Sequence, residues 1–275
     1  MSAVLSYVEK DSFIHRLTGT AKLLFFVIWS IAAMITYDTR VLAGMFFTGV
    51  VFFILSGFKW KEVRFAVFFM AVLMGINLIG IFLFSPEQGV KIYGTRHELC
   101  HLFWRYSIVT EQLFYMFNFM MKYLVVIPVA LLFIMATNPS EFAASLNKIG
   151  VSYRVGYAVA IALRYIPDVQ RDYHEISQAQ QARGVDLSRK DKTLERLKNS
   201  AAILFPLVLS SLQRIEFISN AMELRGFGKQ KKRTWIMEKP FMKRDYAAVV
   251  FAFVTLAVSV LCMFNNGGRY FNPFL

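Results

Sequence analysis

Cysteine is nearly absent: the 275 residues hold two, Cys100 and Cys262. Two thiols are too few for a disulfide-built scaffold or a structural zinc site. Acidic residues are also scarce, with 18 Asp and Glu against 31 Lys and Arg. Charged residues together make 18% of the chain, whereas 56% is hydrophobic and Phe alone fills 28 positions. An ordinary soluble enzyme of this length needs neither so much Phe nor so little charge. No Gly-x-x-x-x-Gly-Lys-Ser/Thr phosphate loop is present. Gly226-Phe227-Gly228-Lys229 has neither the spacing nor a following hydroxyl. The chain is therefore not expected to hydrolyse ATP by itself. A Gly-x-Ser-x-Gly elbow and a His-Glu-x-x-His zinc helix are missing too. No secretory leader is expected: Glu9, Asp11 and His15 lie among the first residues, and no small-residue cleavage pattern follows the first apolar run.

What the chain has is apolar runs. A bilayer core about 30 Å thick needs about 20 apolar residues in a helix. Five stretches meet or approach that length: Leu23 to Tyr37, Val41 to Phe58, Phe65 to Phe84, Ser107 to Ala136, and Tyr246 to Phe264. Cationic residues set the orientation. With a cytoplasmic N-terminus, 25 Lys and Arg fall inside and five outside, with Lys122 within a span. The expected fold class is an all-α integral membrane protein of about five transmembrane helices. It divides into a membrane domain of four helices (1–136), a cytoplasmic domain (137–245), and a last helix with its tail (246–275). The expected location is the cell membrane. The basic run Lys229, Lys231, Lys232, Arg233, Lys239, Lys243 and Arg244 is read as attraction to anionic lipid headgroups. No aromatic-rich RNA motif accompanies it, so nucleic acid is not expected as a partner.

The cytoplasmic segment is not rich in Pro, Gly or Ser, so it is not a linker. It reads as two long amphipathic helices, from about Ser152 to Arg183 and from about Thr193 to Arg225. On the first, Ile166, Val169, Tyr173 and Ile176 recur at spacings of three and four. On the second, Leu194, Leu197, Ala201, Leu204, Val208, Leu212, Ile215, Ile218 and Met222 form one stripe. Its apolar middle, Ala201 to Leu212, is twelve residues long, too short to span, and should be buried or lie against the membrane face. Pro206 is a candidate bend. A shorter helix is expected after Asn138-Pro139, capped by Asn138 or Ser140.

Both long helices end alike, in Ala182-Arg183-Gly184 and Leu224-Arg225-Gly226. One such end is ordinary capping, since Gly permits the left-handed turn and Arg suits the negative helix terminus. Two such ends on two amphipathic helices admit a second reading, a pair of guanidinium plugs. The planar fork of Arg can pair with a carboxylate in a partly buried groove.

Together with other segments, the paired Arg-Gly ends resemble the transmembrane T component of energy-coupling factor (ECF) transporters, the EcfT/CbiQ-like family. The other segments are Ser12-Phe13-Ile14-His15-Arg16-Leu17, Asn138-Pro139-Ser140-Glu141, Leu163-Arg164-Tyr165-Ile166-Pro167, Phe205-Pro206-Leu207 and Ala221-Met222-Glu223. The resemblance implies that the two long helices cross as an X beneath the membrane. It implies that Ala182, Arg183, Gly184, Leu224, Arg225 and Gly226 engage grooves of two ATPase subunits or one fused ATPase. It further implies a small substrate-binding S component, for a vitamin or metal ion, on an apolar coupling surface that includes Leu204, Val208, Leu212 and Ile215. The chain would be a non-catalytic subunit without a cofactor of its own, ATP being bound by the partner ATPases. Leu224 stands where the family often has Ala, and Thr18-Gly19 where it often has Asp-Pro. The residues before Ser12 lack the Gly-x-Tyr-x-Pro pattern of shared T components, which favours one dedicated to a single S component.

Two other readings stand beside this one. Asp168, Asp172 and Glu175 lie at i, i+4 and i+7, a face that could hold Mg²⁺ and a lipid diphosphate in an intramembrane enzyme. Arg164 and Arg171, each four residues N-terminal to an acid, could instead pair with that face. The other reading is the permease half of a conventional ABC importer. Within the spans, Lys122, Asn118 and Asn77 are functional candidates by position. A packing role for Lys122, bonded to a carbonyl, is the favoured expectation.

Overall fold

A computed structural model describes residues 12–103, 106–185, 193–230, 234–235 and 239–274. Glu9, Asp11, the Lys231–Arg233 run and the side chains of Cys100, Leu194 and Leu197 lie outside the described part. The chain forms α1 (Gly19–Ile35), α2 (Thr39–Leu55), α3 (Trp60–Phe84), α4 (Gln88–Tyr93), β1 (Glu98–Phe103), β2 (Tyr106–Val109), α5 (Thr110–Ala136), α6 (Pro139–Lys148), α7 (Tyr153–Ala182), α8 (Thr193–Leu224) and α9 (Lys243–Asn265). It divides into two compact units, Met1–Glu141 with Lys239–Leu275, and Phe142–Glu238.

In the first unit, α1, α2, α3, α5 and α9 are apolar. By length and composition α3, α5 and α9 are each sufficient to cross a membrane, with mean hydropathies of 2.5, 2.3 and 2.6. Helices α1 and α2 are shorter, 17 residues each. The core is built where α1, α2 and α5 meet, on Trp29, Ala32, Ala33, Leu42, Met45, Met121, Val125 and Val129. The α1 residues of this core mix the large Trp29 with the small Ala32 and Ala33, and those from α5 are Met121, Val125 and Val129.

Polar groups fasten this unit at two ends. At one end, α1 begins, α5 finishes and α9 begins. Glu141 accepts the Gly19 N–H at 2.9 Å and lies 3.8 Å from Lys22 Nζ. Lys22 in turn donates to the Ala136 carbonyl at 2.8 Å. Asp245 accepts from the Thr18 N–H and from the Met242 N–H, each at 2.8 Å. These bonds satisfy helix-terminal donors that burial would otherwise leave orphaned. They also explain locally why Asn138-Pro139-Ser140-Glu141 has this order. Asn138 Oδ1 accepts the Ser140 N–H at 3.0 Å, Pro139 opens α6, and Glu141 reaches α1.

At the opposite end, beyond the apolar run that ends at Phe84, the structure builds α4 and an antiparallel hairpin, with Glu98 opposite Val109 and Cys100 opposite Ile108. A Cβ on Gly89 would lie 2.4 Å from the Glu111 carbonyl oxygen, so only glycine lets α4 sit this close to α5. The tail after α9 closes over the same end. Tyr37 N–H donates to the Arg269 carbonyl at 2.9 Å, and Asn272 Nδ2 donates to the Tyr93 carbonyl at 3.0 Å. Asp38, whose side chain is 1% exposed, takes Arg40 at 2.9 Å and Asn266 at 2.7 Å. Burial alone would raise the Asp38 carboxyl, but these hydrogen bonds from Arg40 and Asn266 hold it below the ordinary aspartate value.

The intramembrane polar residues bond to nearby groups of the same unit. Lys122 Nζ donates to the Met34 carbonyl at 2.8 Å and sits 3.2 Å from the centroid of the Tyr37 ring. Asn118 Oδ1 accepts from Thr39 at 2.7 Å, and Asn77 bonds back to the Leu73 carbonyl of its own helix. Cys262 is a half-buried free thiol on α9.

Candidate coupling site

The second unit is dominated by α7 and α8, helices of 30 and 32 residues. Asp172 on α7 pairs with Arg214 on α8 at 2.5 Å. Phe227, three residues past the end of α8, lies against Tyr157 and Tyr153 at the start of α7, with ring centroids 4.8 and 5.6 Å apart. The two helices are therefore antiparallel. Arg154, in the first turn of α7, donates to the Gly228 carbonyl at 3.2 Å. The Arg225 end is thus fixed beside the beginning of α7. The Arg183 end lies the length of α7 away, about 45 Å at 1.5 Å per residue.

Both ends close in the same way. At the first, the Gly184 N–H donates to Gln181 O at 3.0 Å and the Val185 N–H to Gln180 O at 3.1 Å. At the second, the Gly226 N–H donates to Glu223 O at 2.8 Å and the Phe227 N–H to Met222 O at 2.9 Å. The glycines take φ of +88° and +63°. This is the Schellman closure, in which backbone donors satisfy the terminal carbonyls. Helix termination therefore does not require either guanidinium. Arg183 and Arg225 are both exposed, as are Ala182 and Gly184. Leu224 is 89% exposed.

The α8 stripe lies on the surface. Leu204, Val208, Leu212 and Ile215 are all more than half exposed, and Phe205 and Phe217 extend the apolar surface. Ile203 is buried on the other side. On α7, Ile166, Val169 and Tyr173 are exposed as well. Residues Asn199–Leu224 are apolar enough, at mean hydropathy 1.5, to cross a membrane by length and composition. The expected apolar middle, Ala201 to Leu212, stops at Gln213 and Arg214, whereas the apolar stretch of α8 resumes beyond them at Ile215, Phe217 and Ile218. Pro206 falls inside a continuous α8.

Two acids of this face, Asp168 and Asp172, lie in ion pairs. Asp172 is held by Arg214, 42 positions away in sequence, and Arg171 lies 3.9 Å from Asp168. Among the described residues, no three His, Cys, Asp or Glu side chains are grouped to hold a metal ion.

The pattern of the cobalt transport protein family, CbiQ, matches residues 10–235. The chain belongs to this family. An energy-coupling factor transporter transmembrane protein, EcfT, of Clostridium kluyveri is 30% identical over 265 residues, covering 93% of this chain and 94% of the relative. EcfT of Lactococcus lactis subsp. cremoris is 26% identical over 264 residues, covering 93% and 95%. EcfT of Thermotoga maritima is 26% identical over 276 residues, covering 96% and 93%. This CbiQ-family chain is accordingly a multi-pass T component of the energy-coupling factor type, a transporter subunit and not an enzyme.

Sequence reasoning overlooked the aromatic clamp that positions the Arg225 end of this T component. Trp235 Nε1 donates to Asn147 Oδ1 at 3.1 Å, and its ring lies near Tyr157. A Cβ on Gly156 would meet the Ala143 carbonyl oxygen at 3.0 Å and the Trp235 ring at 3.3 Å. A tryptophan set among the cations after Arg225 was the available signal.

Proposed function

We propose that this T component transmits the motion of two ATPases, separate or fused, to an S component that carries a vitamin or a metal ion. Arg183 and Arg225 are the anchors. Each guanidinium pairs with a carboxylate in a groove of one ATPase, and ATP is bound there rather than on this chain. When ATP closes the ATPases, the grooves carry the helix ends with them. The motion passes along α7 and α8 to the apolar surface of Leu204, Val208, Leu212 and Ile215. The S component docked on that surface reorients and releases its substrate into the cytoplasm.

The observation that carries this reading is the pair of identically closed helix ends, each presenting an exposed arginine that termination does not need. Their separation by about the length of α7 suits two grooves rather than one. The end of the membrane unit that holds Thr18, Glu141 and Asp245 faces the cytoplasm, because Lys59, Lys61, Arg64, Lys243 and Arg244 gather at the helix termini there. The N-terminus is then cytoplasmic and the location the cell membrane.

The test is purification of the tagged chain from its own membranes in mild detergent. ATPase domains and one small hydrophobic protein should accompany it. Arg183→Glu and Arg225→Glu should each weaken ATPase retention by about 2–5 kcal/mol, the range for breaking a buried charged pair at an interface. Full assembly and transport in either variant would refute the anchoring role.

A further inference from the structure

We propose that the membrane unit holds one anionic phospholipid, with an acyl chain in a groove between α1, α2, α5 and α9 and the phosphate on Arg244. The groove has a volume of about 230 Å³. Three rings form one wall: Phe25, Phe52 and Phe251, with centroids 5.8 to 6.5 Å apart. Ala247 and Ala248 present only methyl groups to the same space, and this leaves the gap. An apolar space among lipid-facing helices is filled by hydrocarbon, because neither water nor a soluble anion finds partners there.

The two cations on the lining differ. Lys22 is buried, and its ammonium is already met by the Ala136 carbonyl and by Glu141. Arg244 is exposed in the first turn of α9, two residues before the apolar run that begins at Tyr246. That is the depth of the phosphate layer, with Lys243 beside it. Hydrocarbon inside and a guanidinium at the mouth match an anionic lipid, whereas a neutral hydrocarbon leaves Arg244 unused. The inference rests on the inward orientation of this end, where the leaflet is negatively charged.

The full-length chain, purified with its partners from membranes holding phosphatidylglycerol and phosphatidylethanolamine, is washed with detergent, and its bound lipid is quantified by mass spectrometry. About one phosphatidylglycerol per chain should survive washing, the stoichiometry of a single groove with one headgroup cation. Arg244→Gln should lower that retention on the order of fivefold, the effect of one cation near the surface. Ala248→Trp, which fills the groove, should abolish it, and the smaller Ala247→Leu guards against misfolding. Ile79→Ala on the lipid-facing side of α3 should change nothing. Equal retention of both lipids, or retention untouched by filling the groove, would overturn the site. So would a photo-crosslinker at Ala248 that captures residues 1–11 or a partner protein instead of lipid. Orientation is read separately, by labelling Lys59→Cys with a membrane-impermeant thiol reagent in a chain whose Cys100 and Cys262 are replaced by Ser. Labelling from outside would sink the orientation while the lipid count stayed measurable.

Discussion

Helices α5 and α7 are nearly equal in length, 27 and 30 residues, yet eleven residues of α5 are buried and three of α7. The two belong to different units and obey different rules. Around α5, side chains bond to backbone across the unit: Lys122 to Met34, Lys22 to Ala136, Trp29 to Val125. Around α7, among the described residues, the Asp172–Arg214 ion pair, the bond from Arg154 to the Gly228 carbonyl and a ring cluster hold α8 alongside, and Leu204, Val208, Leu212 and Ile215 stay on the surface. The first unit ties its buried helix ends together internally and turns its apolar outer faces, that of α3 above all, to the bilayer. The second leaves apolar area to be covered by something else, as binding surfaces do.

Four experiments test that contrast. The largest is Glu141→Ala. It strips the Gly19 N–H and the buried Lys22 of a partner, and should destabilise the membrane unit by about 3 kcal/mol or more. Denaturant titration of the detergent-solubilised chain measures it, and a loss below 1 kcal/mol would mean that this end is not fastened as described. Next come Gly184→Ala and Gly226→Ala. A Cβ at Gly184 meets open space, so the cost there is only that of the left-handed backbone, about 1–2 kcal/mol. Hydrogen exchange in the last turn of α7 should rise while α5 is unaffected. The third concerns Asp38, whose folded carboxyl lies below its ordinary value. Its contribution is complete above the ordinary aspartate value and fades as pH falls through the lowered one. Protease cutting of the tail should therefore increase in that acid window, and Asp38→Asn should flatten the response. The smallest is Leu212→Ser. Its side chain is 55% exposed, so the free chain should change by no more than about 0.5 kcal/mol. A loss of 2 kcal/mol would show that the stripe is already packed within the chain.

The apolar runs made the membrane helices legible, since length and hydropathy are local properties. Their ends were less so. Helix α1 begins at Gly19 rather than Leu23, because Thr18 Oγ1 accepts from Ala21 and Glu141 caps the first turn from 122 positions away. Helix α3 begins at Trp60, running through Lys61, Glu62 and Arg64, because Glu62 turns back to the Lys59 N–H at 3.1 Å. Both arginine-glycine ends were legible as helix stops, because the glycine requirement is written in single residues. The partner of Asp172 was not. The i, i+4 rule looks along one helix, and Arg214 comes from the next. The small hairpin and α4 were hidden by their brevity, and they are held by tail and glycine contacts that no local pattern announces.

The stop of each long helix is written in glycine and backbone hydrogen bonds, while the adjoining side chain projects outward. The two tasks are thereby uncoupled. An exchange at 183 or 225 leaves the backbone closure of its helix in place, because the closing donors and acceptors are main-chain atoms. Under the proposed coupling role, the side chain and the helix stop become separate design variables, and matched pairs of ATPase and membrane subunit become an engineering target.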